Sequence, residues 1–108
     1  MQEAALLYIT AADREEAETI ARALLEERLI ACANIIPGMT SLYRWEGIIR
    51  QGSECVMIVK TMKNMVNDVT QKIVSLHSYD CPCVIEMPVD GGNKEFLRWI
   101  EQETTSPS

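Results

Sequence analysis

One stretch of this sequence, residues 31–61, constrains the fold more than any other. It holds two runs of β-forming residues, 31–45 and 55–59, with one turn signal, the dipeptide Glu46-Gly47, near the middle of the stretch. The first run is rich in Ile, Thr, Tyr and Trp, and the second is apolar throughout. Glycine after an acidic residue, between two β-forming runs, is typical of a hairpin turn. The stretch therefore predicts a long β-hairpin.

The predicted hairpin is too long to lie straight within a compact domain. Residues 31–45 would span about 50 Å as one straight strand, whereas a chain of this size has a radius of gyration of about 13 Å. Pro37-Gly38 predicts a bend or bulge, because proline has no amide hydrogen to donate and glycine accepts positive φ. We expect the tip, residues 43–46, to project and to meet another chain. The alternative is a hairpin curled back onto its own sheet.

Charge and hydropathy argue against two kinds of partner. The chain has 16 acidic and 10 basic residues and a net charge of −6, so it would repel a phosphate backbone, and nucleic acid is not an expected partner. No apolar run approaches the roughly 20 residues that cross a bilayer, so a membrane is not an expected partner either. The first nine residues carry no basic residue and make a poor signal peptide. The expected location is therefore the cytoplasm.

The remaining periodicities predict the order βαββαβ followed by an additional C-terminal helix. This order is typical of ferredoxin-like domains, an α+β fold in which both main helices cover one face of an antiparallel sheet. We expect one domain over 1–103 and a flexible tail over 104–108. The other predicted strands are 4–11 and 83–89, and Pro88 predicts a sheet-edge position or a bulge for the second. The predicted helices span 14–28, about 64 to 77, and the residues after 93, with caps at Asp13, Asn64 and Asn93.

Both faces of the two central strands are predicted to be apolar. Leu6 and Tyr8 point to one side of the first strand, and Leu7 and Ile9 point to the other. The run 55–59 is likewise apolar on both sides, whereas a water-facing antiparallel sheet would alternate with polar residues. Because the helices cover one face only, we expect a homo-oligomer that buries the second face.

One histidine and four cysteines are the candidate soft metal ligands. Cys32 and Cys55 fall within strand patterns and are expected to be small core residues. His77 precedes Cys81 and Cys83 by four and six residues, so an imidazole and two thiolates would suit copper. The alternative is structural: His77 would lie at a helix C-terminus, where a cation is favoured, and the two cysteines would pack beside Pro82.

A second candidate site consists of three aromatic and two charged residues, Tyr43, Trp45, Tyr79, Glu46 and Lys60. In one interpretation these residues form a cleft for a small anionic ligand. In the other they form an oligomer interface, with Lys60 and Glu46 as an ion pair between subunits. No glycine-rich phosphate loop or Ser-His-Asp set is present, so an enzyme is not expected.

Four segments resemble the CutA family of divalent-cation tolerance proteins, and the resemblance covers about residues 7–100. The segments are ACANIIPG (31–38), TSLYRWEG (40–47), Lys60-Thr61 and MPVDGGNKEFLRWI (87–100). The resemblance implies a ferredoxin-like fold and a homotrimer similar to PII-like trimers. In such a trimer the sheets face inward, the hairpin reaches a neighbour, and clefts lie between subunits.

The resemblance also implies a function. It points to copper or another divalent metal as the ligand, with no metal required for folding. The ligands proposed for the family include a first-strand cysteine and one or two histidines at the end of the second helix; His77 matches the last of these, whereas Ile9 and Leu76 stand at the others. The alternative is a signalling or scaffolding trimer that binds a small ligand or a partner protein in its clefts.

Overall fold

The structure is a computed structural model that describes residues 3–105. It has a four-stranded antiparallel sheet in the order β2-β3-β1-β4, with three α-helices. The predicted α+β ferredoxin-like fold is confirmed, including β1 and β3 at the centre and Pro88 at the end of an edge strand. The elements are β1 (Ala4–Ala11), α1 (Arg14–Glu26), β2 (Cys32–Trp45), β3 (Ile48–Met62), α2 (Val66–Leu76), β4 (Val84–Pro88) and α3 (Lys94–Glu103).

The hairpin turn and the bulge lie where the sequence placed them. Glu46 and Gly47 have φ of 51° and 79°, as a two-residue type I′ turn requires. The β2–β3 register shifts between Ile36 and Met39, around Gly38 with φ of 77°. We call the hairpin beyond this bulge, residues 39–54, the arm. Strand β3 starts earlier than the predicted run 55–59, because the polar residues of the arm keep their backbone pairing while their side chains face solvent.

Capping explains where two of the three helices begin. The Asp13 side chain accepts a hydrogen bond from the Glu16 amide at 2.8 Å, and Asn93 accepts one from the Glu95 amide at 3.0 Å. The predicted cap at Asn64 is wrong, because residues 63–65 form a 3-10 turn and α2 starts at Val66 without a side-chain cap. Within residues 3–105, no helix is long and apolar enough to cross a membrane.

Helices α1 and α2 cover one face of the sheet and form a single apolar core with it. Thr61 is the fully buried polar residue beside this core, and its hydroxyl donates to the Leu29 carbonyl at 2.6 Å. This bond ties the centre of the sheet to the segment that follows α1. The largest core side chains are Leu7, Ile9, Ile20, Leu24, Met57, Val59 and Ile73.

The opposite side of the sheet, which we call the open face, is also apolar. Tyr8 pairs with Ile58 on one side and with Ile85 on the other, so the three residues form one row across the sheet. In the single chain Ile85 is 56% exposed and Ile36 is 53% exposed. The predicted two-sided apolar character is confirmed. The apolar residues of the open face are Leu6, Tyr8, Ile36, Val56, Ile58, Ile85 and Met87, and Asn34 and Lys60 lie on the same face.

The start of the predicted C-terminal tail is attached to the domain. The Thr104 hydroxyl donates to the Ile100 carbonyl at 3.0 Å, and the Thr105 amide donates to the Arg28 carbonyl at 3.0 Å. Expecting a free tail from residue 104 was therefore wrong for these two residues. The rest of the predicted tail, 106–108, lies outside the described residues.

Candidate functional site

A cavity of about 580 Å³ lies between the arm and the loop that joins α2 to β4. We call it the arm pocket. Its volume is within the range of small-molecule sites, roughly 300–1,000 Å³. The arm contributes Tyr43, Trp45, Arg50 and Glu54, and the loop contributes Tyr79, Cys81 and Cys83.

The strand register explains why the pocket exists. Tyr43 is paired directly with Arg50, and both residues share a face of the arm with Trp45, two positions along the strand. Gly52, also on the pocket wall, has no side chain, and a Cβ built there would meet no atom within 4 Å. The missing side chain at Gly52 therefore leaves open space in the pocket beside Tyr43, Trp45 and Arg50.

His77 connects the loop to the end of β1. Its side chain is fully buried, its Nδ1 accepts the Tyr79 amide hydrogen at 3.1 Å, and its Nε2 lies 2.7 Å from the Thr10 carbonyl oxygen. Because Nδ1 accepts a hydrogen bond, Nε2 must carry the proton and donate it to Thr10. Both ring nitrogens are thus engaged with backbone groups, and neither offers a free lone pair to a metal ion.

Glu16 attaches the same loop to the start of α1. One carboxylate oxygen accepts the Ser78 amide at 2.8 Å, and the other accepts the Ala12 amide at 2.9 Å. Partial burial acts to raise the pKa of Glu16, but the hydrogen bonds from Ser78 and Ala12 outweigh it and lower the pKa below its usual value. The charged carboxylate therefore stabilises the loop.

Replacing this carboxylate should change how stability depends on pH. Because folding lowers the pKa of Glu16, its contribution is present above the unfolded pKa of about 4.3 and is lost as pH falls through the folded value. We expect Glu16→Gln to lower the free energy of unfolding at pH 7 by about 1–2 kcal/mol, with a smaller loss at pH 3. Urea denaturation from pH 3 to 7 measures this difference.

Glu18→Gln is the matched control, because Glu18 pairs with Arg14 on the exposed surface of the same helix. Its effect should stay near 0.5 kcal/mol. Equal losses for Glu16→Gln at pH 3 and pH 7 would contradict the assigned role.

Tyr79 links the loop to the arm on the other side of the pocket. Its hydroxyl donates to a Glu54 carboxylate oxygen at 2.8 Å. Burial and this hydrogen bond to Glu54 raise the pKa of Tyr79 above its usual value. Tyr79 thus stays a neutral donor, and its ring lies against His77 with the ring centres 4.6 Å apart.

The structure divides the predicted cleft residues into two groups. Tyr43, Trp45 and Tyr79 line the arm pocket, whereas Glu46 lies in the hairpin turn. Lys60 is near the far end of β3, where its Nζ lies 2.6 Å from Asn34 Oδ1. Glu46 and Lys60 therefore do not meet within one chain.

Sequence reasoning missed several pocket residues, among them Arg50 and Glu54. The turn signal could have located Arg50, because counting back from a two-residue turn at Glu46-Gly47 places it opposite Tyr43. Glu54 had no comparable signal, since its partner Tyr79 lies in a separate segment of the chain.

The four cysteines lie in different environments. Cys55 is buried, as predicted, and burial raises the pKa of its thiol. Cys32 is half-buried on the edge strand β2, whereas Cys81 is exposed and Cys83 half-buried, and these last two face the arm pocket. In the described part of the chain, no group of three or more His, Cys, Asp or Glu side chains is placed to hold a metal ion.

Comparison with known proteins gives consistent matches over nearly the whole chain. Residues 5–103 match the family model described as CutA1 divalent ion tolerance protein. The chain is 41% identical over 99 residues to the divalent-cation tolerance protein CutA of Thermus thermophilus, covering 92% of this chain and 96% of that protein. It is 36% identical over 99 residues to the chloroplastic CutA protein of Arabidopsis thaliana, covering 92% of this chain but only 54% of that longer protein.

The fold also matches a solved structure. The crystal structure of the divalent ion tolerance protein CutA1 from Ehrlichia chaffeensis superposes with a TM-score of 0.92. The two sequences are 40% identical, and the match covers 98% of this chain and 99% of that one.

Proposed function

Because this chain belongs to the CutA1 divalent ion tolerance family, we propose that it acts in cation tolerance by binding copper. It does so as a homotrimer without enzymatic activity. The observation that carries the proposal is the apolar open face, which lies opposite α1 and α2 and on which Ile36 and Ile85 are more than half exposed in the single chain. Two thiols in the arm pocket, Cys81 and Cys83, support a soft metal ion as the ligand.

The open face supports assembly because of its position and composition. Its central row, Tyr8, Ile58 and Ile85, lies across three adjacent strands. A continuous apolar surface of this kind on a monomer would promote aggregation. Three copies packed through their open faces would remove it from water, and each arm would then reach a neighbouring subunit as in PII-like trimers.

The proposed location is the cytoplasm. All four cysteines are free, and a reducing compartment keeps such thiols available to a metal.

Metal titration tests the copper proposal. We expect the trimer to bind copper at one ion per chain with a Kd below about 1 µM, supplied as Cu(I) or as Cu(II) and measured by competition with a chromophoric chelator. Zn(II) should bind more weakly, because the pocket lacks the four ligands of a zinc site. The proposal fails if neither copper ion binds more tightly than micromolar.

The shape of the arm pocket favours a second candidate, a trimer that binds a small organic ligand. Three aromatic side chains, Tyr43, Trp45 and Tyr79, line a volume suited to such a molecule. A thermal-shift screen of metabolites on the wild type and on Tyr43→Ala tests it. A specific ligand would raise the Tm of the wild type and not that of the variant, whereas an absence of hits would exclude this candidate.

A further inference from the structure

The donors available in the arm pocket do not suit a divalent ion. Zn(II) takes four ligands in a tetrahedron, and Cu(II) prefers nitrogen and oxygen ligands in a tetragonal arrangement. The nearest imidazole, His77, has both nitrogens in hydrogen bonds to the backbone. Glu54 and Asp80 also line the pocket, but in the described residues no group of three or more His, Cys, Asp or Glu side chains is placed to hold a metal ion. Among the described residues that line the arm pocket, the sulfur atoms of Cys81 and Cys83 are the soft donors.

We propose that Cys81 and Cys83 form a two-thiolate site for a soft monovalent cation, Cu(I) or its air-stable probe Ag(I). The inference rests on the proposed function in so far as copper is the ion bound. It goes further by making the two thiolates the complete ligand set and by specifying the charge of the ion. A closed-shell monovalent ion accepts two thiolates as a complete coordination shell, so it needs no third ligand from the chain.

The spacing of the two cysteines suits this coordination. Both side chains face the same pocket, and a separation of two residues places their Cα atoms at most about 6.6 Å apart. Two metal–sulfur bonds of about 2.3 Å in line would hold the sulfurs about 4.6 Å apart, which side chains leaning towards each other can reach. Pro82 fixes its own φ and confines Cys81 to extended conformations, so little chain entropy is lost on binding.

The chemistry of binding balances without an oxidant or a reductant. Two S–H bonds break, two sulfur–metal bonds form, and two protons pass to the buffer. The bound unit, two thiolates and one monovalent ion, carries one negative charge. Arg50 lines the same pocket and has no ion pair with any residue in the described range, so its guanidinium offsets part of the negative charge that the bound unit shares with Glu54 and Asp80.

The test compares four proteins: the wild type, Cys81→Ser, Cys83→Ser and the control Cys32→Ser. Cys32 is a half-buried cysteine at the opposite end of β2 from the arm. Ag(I) and Cu(I) affinities are measured by chelator competition, and proton release is measured in weakly buffered solution with a pH indicator. Thermal melts establish that each variant is folded.

We expect one monovalent ion and about two released protons per chain. Either pocket variant should lose about a hundredfold or more in affinity, and Cys32→Ser should match the wild type. Wild-type affinity in either pocket variant would overturn the inference. Tight binding of Cu(II) alone would overturn it while leaving the proposed copper function intact, whereas binding of no metal at all would refute both.

Discussion

Ile85→Asp is expected to convert the proposed trimer into folded monomers. Ile85 lies beside Tyr8 on the open face and is 56% exposed in the single chain, so a carboxylate there leaves the fold of one subunit intact. In the assembly the same position would be buried against another copy. An unpaired charge at such a place costs several kcal/mol per subunit, and three copies of the variant would each introduce one.

Sedimentation velocity at micromolar concentration measures this effect. The matched control is Val74→Asp on α2, a residue of similar exposure, 49%, that lies away from the open face. The control should remain trimeric. If Ile85→Asp also remains trimeric, or if the control dissociates equally, the open face is not the surface of assembly.

His77→Ala is expected to destabilise the fold by about 2–4 kcal/mol while leaving copper affinity unchanged. Removing the ring deprives the Thr10 carbonyl and the Tyr79 amide of their partners, at about 1–3 kcal/mol for each group left unsatisfied. The space left by a fully buried side chain adds a cavity cost. Urea denaturation and chelator competition measure the two quantities on the same samples.

Val74→Ala serves as the control for this substitution, because Val74 is exposed on α2, three residues before His77. It should change stability by less than about 0.5 kcal/mol. The opposite pattern for His77→Ala, with stability retained and copper affinity lost, would make His77 a metal ligand and contradict its structural role.

Features set by neighbouring residues could be predicted from the sequence. The turn at Glu46-Gly47, the bulge at Pro37-Gly38 and the cap at Asp13 each depend on the backbone preferences of a few adjacent residues. The strand order followed from the element order and from the rule on crossover handedness.

Features set by contacts between residues far apart in the sequence could not be predicted. His77 resembled a ligand because its type and position fit a metal site, but its partner Thr10 is 67 residues away in sequence, and the contact is with a carbonyl that any residue has. The Tyr79–Glu54 bond likewise depends on how the loop packs against the arm. The cap expected at Asn64 failed because a 3-10 turn occupies the first positions of the expected helix.

The molar mass of the wild-type protein in solution tests the central claim most directly. Multi-angle light scattering after gel filtration at micromolar concentration should give three copies of the 12.2 kDa chain, about 37 kDa. A stable species of 12.2 kDa would mean that the open face is hydrated in solution, and it would contradict the account.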